Sequence, residues 1–198
     1  MRFRILHYKT LDSTNNLAVS FAREGAEEGV VVLSDYQTQG RGRFKRRWQS
    51  PRGKGLLFSI LLRPNLKSSS ASILTHLAAQ SIADVLKKDF KLPVKLKKPN
   101  DVLVNGKKIT GILTESSAYH QRVEYVIVGI GLNVSTARKD LLKTATSIYA
   151  ETQEKADMGE ILESILKVFK TKYSEVNQRA KQAKQLERTE SAEYAKTA

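Results

Sequence analysis

The chain contains no cysteine, which excludes disulfides, thiolate zinc sites and a cysteine nucleophile and fits a reducing cytoplasm. Proline is scarce, at four residues of 198, and no apolar run approaches the roughly twenty residues that cross a bilayer. No apolar leader opens the sequence, so neither a secretory signal nor a membrane span is expected. The three histidines lie far apart and read as ordinary surface or core residues, and no metal site of direct protein ligands is assigned. Acid is in deficit as well: 20 Asp and Glu stand against 34 Lys and Arg, a formal net charge of +14. An excess of that size favours an acidic partner, whether a nucleotide, a nucleic acid or an acidic protein domain.

What is present is concentrated between Gln37 and Lys54, QTQGRGRFKRRWQSPRGK, with seven cationic side chains, three glycines, the one tryptophan and no acid. Glycine lets backbone N–H groups approach an anion without a Cβ in the way, and Arg41 and Arg43 supply forked donors that match carboxylate and phosphate oxygens. The segment therefore reads as an anion clamp. On its own it equally suits an RNA-binding Arg-Gly stretch.

Patterning along the rest predicts a soluble α/β domain, and 40% hydrophobic residues suffice for a packed core. Strands are expected over 3–8, 29–36, 55–63, 94–96 and 123–134. Helices are expected from Ser13 or Thr14 to about Glu24, over 72–90 and over 158–176, where apolar residues recur at helical spacing. Asn105-Gly106, between Val102–Val104 and Ile109–Thr114, suits the positive dihedrals of a tight hairpin. Together these give a mixed, largely antiparallel sheet with packed helices. Beyond Asn177 the chain has almost nothing to bury and is expected to be an exposed helix or disorder. The division expected is a body over 1–156 and a helical segment with a polar tail over 157–198.

Four further stretches stand in register with the basic loop: Asp12-Ser13-Thr14-Asn15, Lys98-Pro99-Asn100-Asp101, Lys107 to Glu115 (KKITGILTE), and Gly129 to Val134 (GIGLNV). In that order and at those separations the chain resembles the catalytic domain of the biotin protein ligases. These enzymes join biotin to AMP and pass it to a lysine of a carrier protein. The resemblance spans roughly residues 5 to 150. It implies biotin as substrate, ATP with Mg²⁺, and a biotin carboxyl carrier protein as acceptor.

By the same resemblance Gly40, Arg41, Gly42 and Arg43 lie around the ligand carboxylate and phosphate. Ser13, Thr14, Asn15 and Gln37 would line the biotin pocket, where hydroxyl and amide groups suit a ureido ring, although Ser13 and Thr14 equally suit helix capping. Lys108 would reach the biotin carboxylate and the adenylate, and Gly111 would allow ligand close to the strand unless it marks a bulge. Arg43, Lys108 and Asp101 are the catalytic candidates. Asp101 could orient the acceptor amine or only cap the turn that follows. Trp48, Asn100 and Asn133 join Arg41, Arg43 and Lys108 as nucleotide-binding candidates, with a core role open for Trp48 and a turn role for Asn133.

Two positions depart from the family pattern: Lys98 stands where many members carry tryptophan, and Lys45 where many carry glycine. The eleven residues before Asp12 leave no room for the DNA-binding module of some relatives, so no specific DNA partner is expected. The region past Ala156 reads as helix where relatives often append a small β-barrel. A homodimer through an unpaired strand edge is left open. So are a basic nucleic-acid-binding module, a lipoate-type ligase whose own Gly-rich arginine motif is not seen here, and a ligase-like domain that binds biotin without turnover.

Overall fold

The computed structural model describes the backbone of residues 1–197 and the side chains of residues 1–182. Its centre is a seven-stranded sheet in the order β1-β2-β3-β7-β6-β5-β4. The strands are β1 (Arg4–Tyr8), β2 (Val30–Ser34), β3 (Gly55–Leu62), β4 (Val94–Lys97), β5 (Asp101–Val104), β6 (Lys107–Tyr119) and β7 (Arg122–Asn133). Only the β1–β2 pair is parallel, since helix α1 (Thr14–Arg23) carries the chain back between them, and every other pair is antiparallel. The mixed, largely antiparallel sheet read from the sequence is therefore the observed one. The β5–β6 turn has the expected chemistry, with Asn105 at φ 49° and Gly106 at φ 76°.

Alternation along the central strands sorts the core into two faces. Leu56, Phe58, Ile60 and Leu62 of β3 and Val126, Val128, Ile130 and Leu132 of β7 point to one face. There they meet α2 (Ile73–Phe90) and the start of α4 (Met158–Thr197), whose Ile161, Leu162, Ile165, Leu166, Phe169 and Tyr173 are buried in the same cluster. On the opposite face Val30, Val32, Leu61 and Ile127 pack under Ala18 and Ala22 of α1. That helix covers only part of the face, and the uncovered part is the floor of the site described below. A short helix, α3 (Ile148–Thr152), with Ser147 accepting from the Ala150 N–H at its start, completes the chain before α4.

Helix α4 runs on well past the apolar pattern that ends near Val176, because Lys, Gln, Glu and Ala are good helix formers even with nothing to bury. The expectation of a tail without buried side chains falls, from residue 183 onward, outside the described residues. The packed half of α4 is fastened across the molecule by Tyr173, whose hydroxyl donates to Glu28 Oε2 at 2.7 Å. Burial, offset in part by a hydrogen bond with Asn177, and then the Glu28 carboxylate raise the phenol pKa above its ordinary value.

The raised value fixes the sign of the pH dependence. The contribution of Tyr173 is complete below about pH 10, the unfolded value, and is lost as pH climbs towards the folded one. Replacing Tyr173 by Phe should therefore cost about 1.5–3 kcal/mol at neutral pH, the range for a hydrogen bond to a charged acceptor. In denaturant titrations the gap between wild type and variant should narrow above about pH 10, and a gap that holds constant with pH would show that the hydroxyl is not the tie.

Candidate functional site

The central strands lay their backbone bare where α1 stops. One row across the sheet reads Leu57, Gly131, Gly111, Asp101 and Lys97, and the neighbouring row reads Val32, Ser59, Gly129 and Leu113, each set by strand register. Three of the central positions are glycine and one is serine, so the floor is low and close to flat. Side chains from elsewhere fill that space. A Cβ at Gly131 would lie 2.4 Å from Trp48 Cε2, one at Gly111 2.8 Å from Trp48 Cζ3, and one at Gly129 1.9 Å from Asn15 Oδ1. Gly111 stays in register with both neighbours, and the irregularity of that pairing lies at Val102/Leu103, so close approach rather than a bulge explains it.

Above this floor lies a cleft of about 330 Å³, roofed by the basic loop. Of the residues singled out from sequence, Ser13, Thr14, Asn15 and Gln37 line one end and Asn100, Asp101, Lys108 and Gly111 the other. Arg41, Gly42, Arg43 and Trp48 lean over from the loop. Neither Gly40 nor Asn133 lines this cleft. Gly40 is buried because Trp48 crosses it: its carbonyl accepts the Trp48 N–H at 2.9 Å, and a Cβ there would sit 2.5 Å from the Trp48 carbonyl oxygen. Asn133 lies in an adjoining hollow of about 750 Å³, which shares Gln37, Arg47, Trp48 and Lys108 with the first, and it donates to the Thr146 carbonyl at 2.9 Å.

The polar end is a connected network. Ser13 stands at the cap position of α1 without a side-chain cap bond, and both it and Thr14 are buried. Gln37 Oε1 accepts from the Thr14 backbone N–H at 2.7 Å and from its hydroxyl at 3.1 Å. Ser59 Oγ lies 2.7 Å from Thr14 Oγ1 and 2.6 Å from Asn15 Oδ1. The Asn15 amide then donates to the Leu113 carbonyl at 3.2 Å and to Glu115 at 2.7 Å. Capping is thus not what these hydroxyls do.

The cations differ in readiness. Lys108 Nζ rests 2.7 Å from Asp101 Oδ1 and 5.7 Å from the Trp48 ring centroid, and Arg41 is bound to Glu115. Arg43 instead meets a neutral partner, donating to Asn100 Oδ1 at 3.2 Å, while Asn100 donates to the Ile112 carbonyl. Its guanidinium also lies 4.9 Å from the ring centroid of Phe44, which is 81% exposed. Phe44 and Lys45 both adopt left-handed backbone, at φ 56° and 60°. Lys45 is the position at which many relatives are expected to carry glycine, and glycine occupies that region at no steric cost. The Trp48 indole N–H is buried and meets no acceptor among the described residues, a condition that costs about 1–3 kcal/mol.

Among the residues of the site that did not emerge as candidates from sequence are Ser59, Glu115, Gly129 and Gly131, and with them the lining cations Arg46, Arg47, Lys97 and Lys98. Glu115, Gly129 and Gly131 lay inside motifs already singled out. The spacing of the two glycines on one face of a strand was the available sign of a flattened floor. Ser59 interrupts the otherwise apolar run Gly55–Leu62, which is the mark of a polar group under a pocket.

Comparison with known proteins agrees with this geometry. Residues 8–133 match the Biotin/lipoate A/B protein ligase family. The bifunctional ligase/repressor BirA of Bacillus subtilis (strain 168) is 38% identical over 173 residues, 85% of this chain and 53% of the relative. A biotin--[acetyl-CoA-carboxylase] ligase of Paracoccus denitrificans is 35% identical over 165 residues, 80% of this chain and 68% of the relative. Among solved structures, the biotin protein ligase from Aquifex aeolicus in complex with biotin and ATP superposes with a TM-score of 0.74 at 31% identity, covering 88% of this chain and 72% of that one. The Leishmania major biotin protein ligase in complex with biotinyl-5-AMP gives 0.68 at 25% identity, covering 87% and 75%. The chain belongs to the Biotin/lipoate A/B protein ligase family, and it spans about half the length of the Bacillus relative.

Because Trp48 is the only tryptophan, its fluorescence reports on the floor directly. In Gly131→Ala the new methyl group would overlap the indole, so the ring must lift. Emission should shift to the red while the far-ultraviolet circular dichroism stays as in wild type. An unshifted spectrum would mean that the ring does not rest on Gly131.

Proposed function

We infer that the chain activates biotin with ATP and transfers it to a carrier lysine. In the first step a biotin carboxylate oxygen attacks the α-phosphorus of ATP, and the bond to the leaving pyrophosphate breaks. In the second the acceptor amine attacks the acyl carbon of biotinyl-5′-AMP, an amide forms, and AMP departs with the electron pair of the broken C–O bond. The amine's proton passes to a base or to water.

The observation that carries this reading is the convergence of Arg41, Arg43 and Lys108 over a bare-backbone floor whose other end is a buried network of neutral hydrogen-bonding groups. A carboxylate tethered to a neutral, polar ring system matches both ends. The first step forces a carboxylate against a polyphosphate, and fixed cations that meet the charge where it gathers lower that barrier most. Arg43, held by a neutral partner, has its charge free for the transition state. Lys108 can turn from Asp101 to the ligand, leaving Asp101 as the group nearest an incoming amine. Trp48 offers a flat face and a buried N–H in need of an acceptor, both suited to the nucleotide, and the adjoining hollow at Asn133 gives the nucleotide room.

Mg²⁺ belongs to the reading as counter-ion of the phosphates, where it neutralises charge while keeping several of its own waters. Among the described residues no three His, Asp or Glu gather as a metal site. The acceptor proposed is a biotin carboxyl carrier domain, and the compartment proposed is the cytoplasm. No helix of the described residues is long and apolar enough to cross a membrane.

The test is mass-spectrometric detection of biotinyl-5′-AMP from the purified chain, biotin and MgATP, with lipoate and octanoate in parallel. Adenylate from biotin alone is expected, and Arg43→Ala should lower its rate of formation by about 10²–10³-fold, the usual loss for one well-placed donor. Adenylate from lipoate instead would move the substrate within the family. No adenylate from any acid, together with strongly salt-dependent RNA or DNA binding, would replace the reading with that of a nucleic-acid-binding module.

A further inference from the structure

Glu115 has no part in the reading above, yet it joins the two halves of the site. One carboxylate oxygen, Oε2, receives both the Arg41 guanidinium from the loop and the Asn15 amide from the polar end of the cleft. It projects from β6 two positions beyond Leu113, on the same face as Gly111, so it stands at the border between pocket and loop. The pair with Arg41 is partly exposed, with side-chain exposures of 40% and 32%, and is therefore within reach of competition by another anion.

We propose that Glu115 is the positioning residue of this site: it clamps Arg41 while the cleft is empty and yields it to the anion of the ligand. The proposal rests on the biotin-ligase reading for the identity of that anion, but not for the clamp itself. Two geometric facts carry it. The first is that Arg41 has only this ion pair in the described chain, so its position depends on Glu115. The second is that Asn15 is fixed independently of Arg41. Its amide also donates to the Leu113 carbonyl, and its Oδ1, which carries no proton, meets the Ser59 hydroxyl, so the Ser59 proton must point to it. The pocket end therefore holds Glu115 in place from behind, and exchange of Arg41 from Glu115 to a ligand leaves that end undisturbed.

An ion pair that is broken when ligand binds subtracts from affinity. Removing its charge while retaining its shape should do two things together: loosen the empty loop and tighten binding. Glu115→Gln keeps an acceptor for Asn15 and loses the negative charge that pairs with Arg41, whereas Glu115→Ala loses both.

The loop supplies its own reporter, since Arg41, Arg43, Lys45, Arg46 and Arg47 are all tryptic sites. Limited trypsinolysis of the ligand-free chain, mapped by mass, should show cleavage within 41–47 about three- to fivefold faster in Glu115→Gln than in wild type, the size expected of a partly exposed pair. In parallel calorimetry with biotin, Glu115→Gln should bind about threefold more tightly than wild type, while Glu115→Ala should bind more weakly than Glu115→Gln because Asn15 loses one of its two acceptors. Unchanged loop cleavage in Glu115→Gln, or weaker biotin binding by it with cleavage raised, would overturn the proposal. If wild type binds no biotin, the functional reading fails, and the cleavage comparison alone then decides the clamp.

Discussion

Everything at the cleft depends on backbone lying exposed at the middle of a sheet. Elsewhere on that face the strands carry apolar side chains beneath α1, and the same alternation continued would have filled the site with core. Gly111, Gly129 and Gly131 interrupt it, and Ser59 adds a hydroxyl in place of bulk. Glycine in a strand interior weakens the strand, and here the lost packing is replaced by groups brought from other parts of the chain. Asn15 comes down from the start of α1 and Trp48 from the basic loop. The low floor thus leaves room above the sheet that is shared between these side chains and the cleft.

The second constraint is charge. A net charge of +14 favours a site of mutually repelling cations, and two of those that line this one are held by carboxylates of the same sheet. Asp101 neutralises Lys108 from the adjacent strand, and Glu115 neutralises Arg41. Arg43 rests on a neutral amide. Arg46, Arg47, Lys97 and Lys98 line the cleft as well, so two carboxylates lower its positive charge without cancelling it.

Much of this was legible from sequence because it obeys local rules. Asn105-Gly106 marks its hairpin through backbone sterics, the β-branched run at Val30 to Val32 marks a buried strand, and the apolar spacing in 73–90 marks a helix with one hidden side. The basic loop announces itself by composition. What sequence did not reveal depends on register. Gly131 faces Gly111 only because β7 and β6 pair with that particular offset, and Glu115 meets Arg41 across 74 positions of chain. Asn133 and Gly40 are singled out by motif, but their neighbours, a carbonyl 13 residues on and a crossing stretch of backbone, follow only from the fold. Side-chain direction in a sheet changes with a shift of one residue, and motif membership alone does not supply it.

Helix α4 adds a consequence for how such a chain comes off the ribosome. The larger apolar face of the sheet is completed by Ile161 to Tyr173, and the bond from Tyr173 to Glu28 links positions 145 apart. Strands, cleft and basic loop are all synthesised before the helix that shields the back of the sheet. Until it emerges, the nascent domain presents an apolar surface to whatever is nearby, the condition under which partly made domains attract chaperones or one another. Ile161 to Tyr173, made after every residue of the site, thus decide how long the unfinished domain remains sticky.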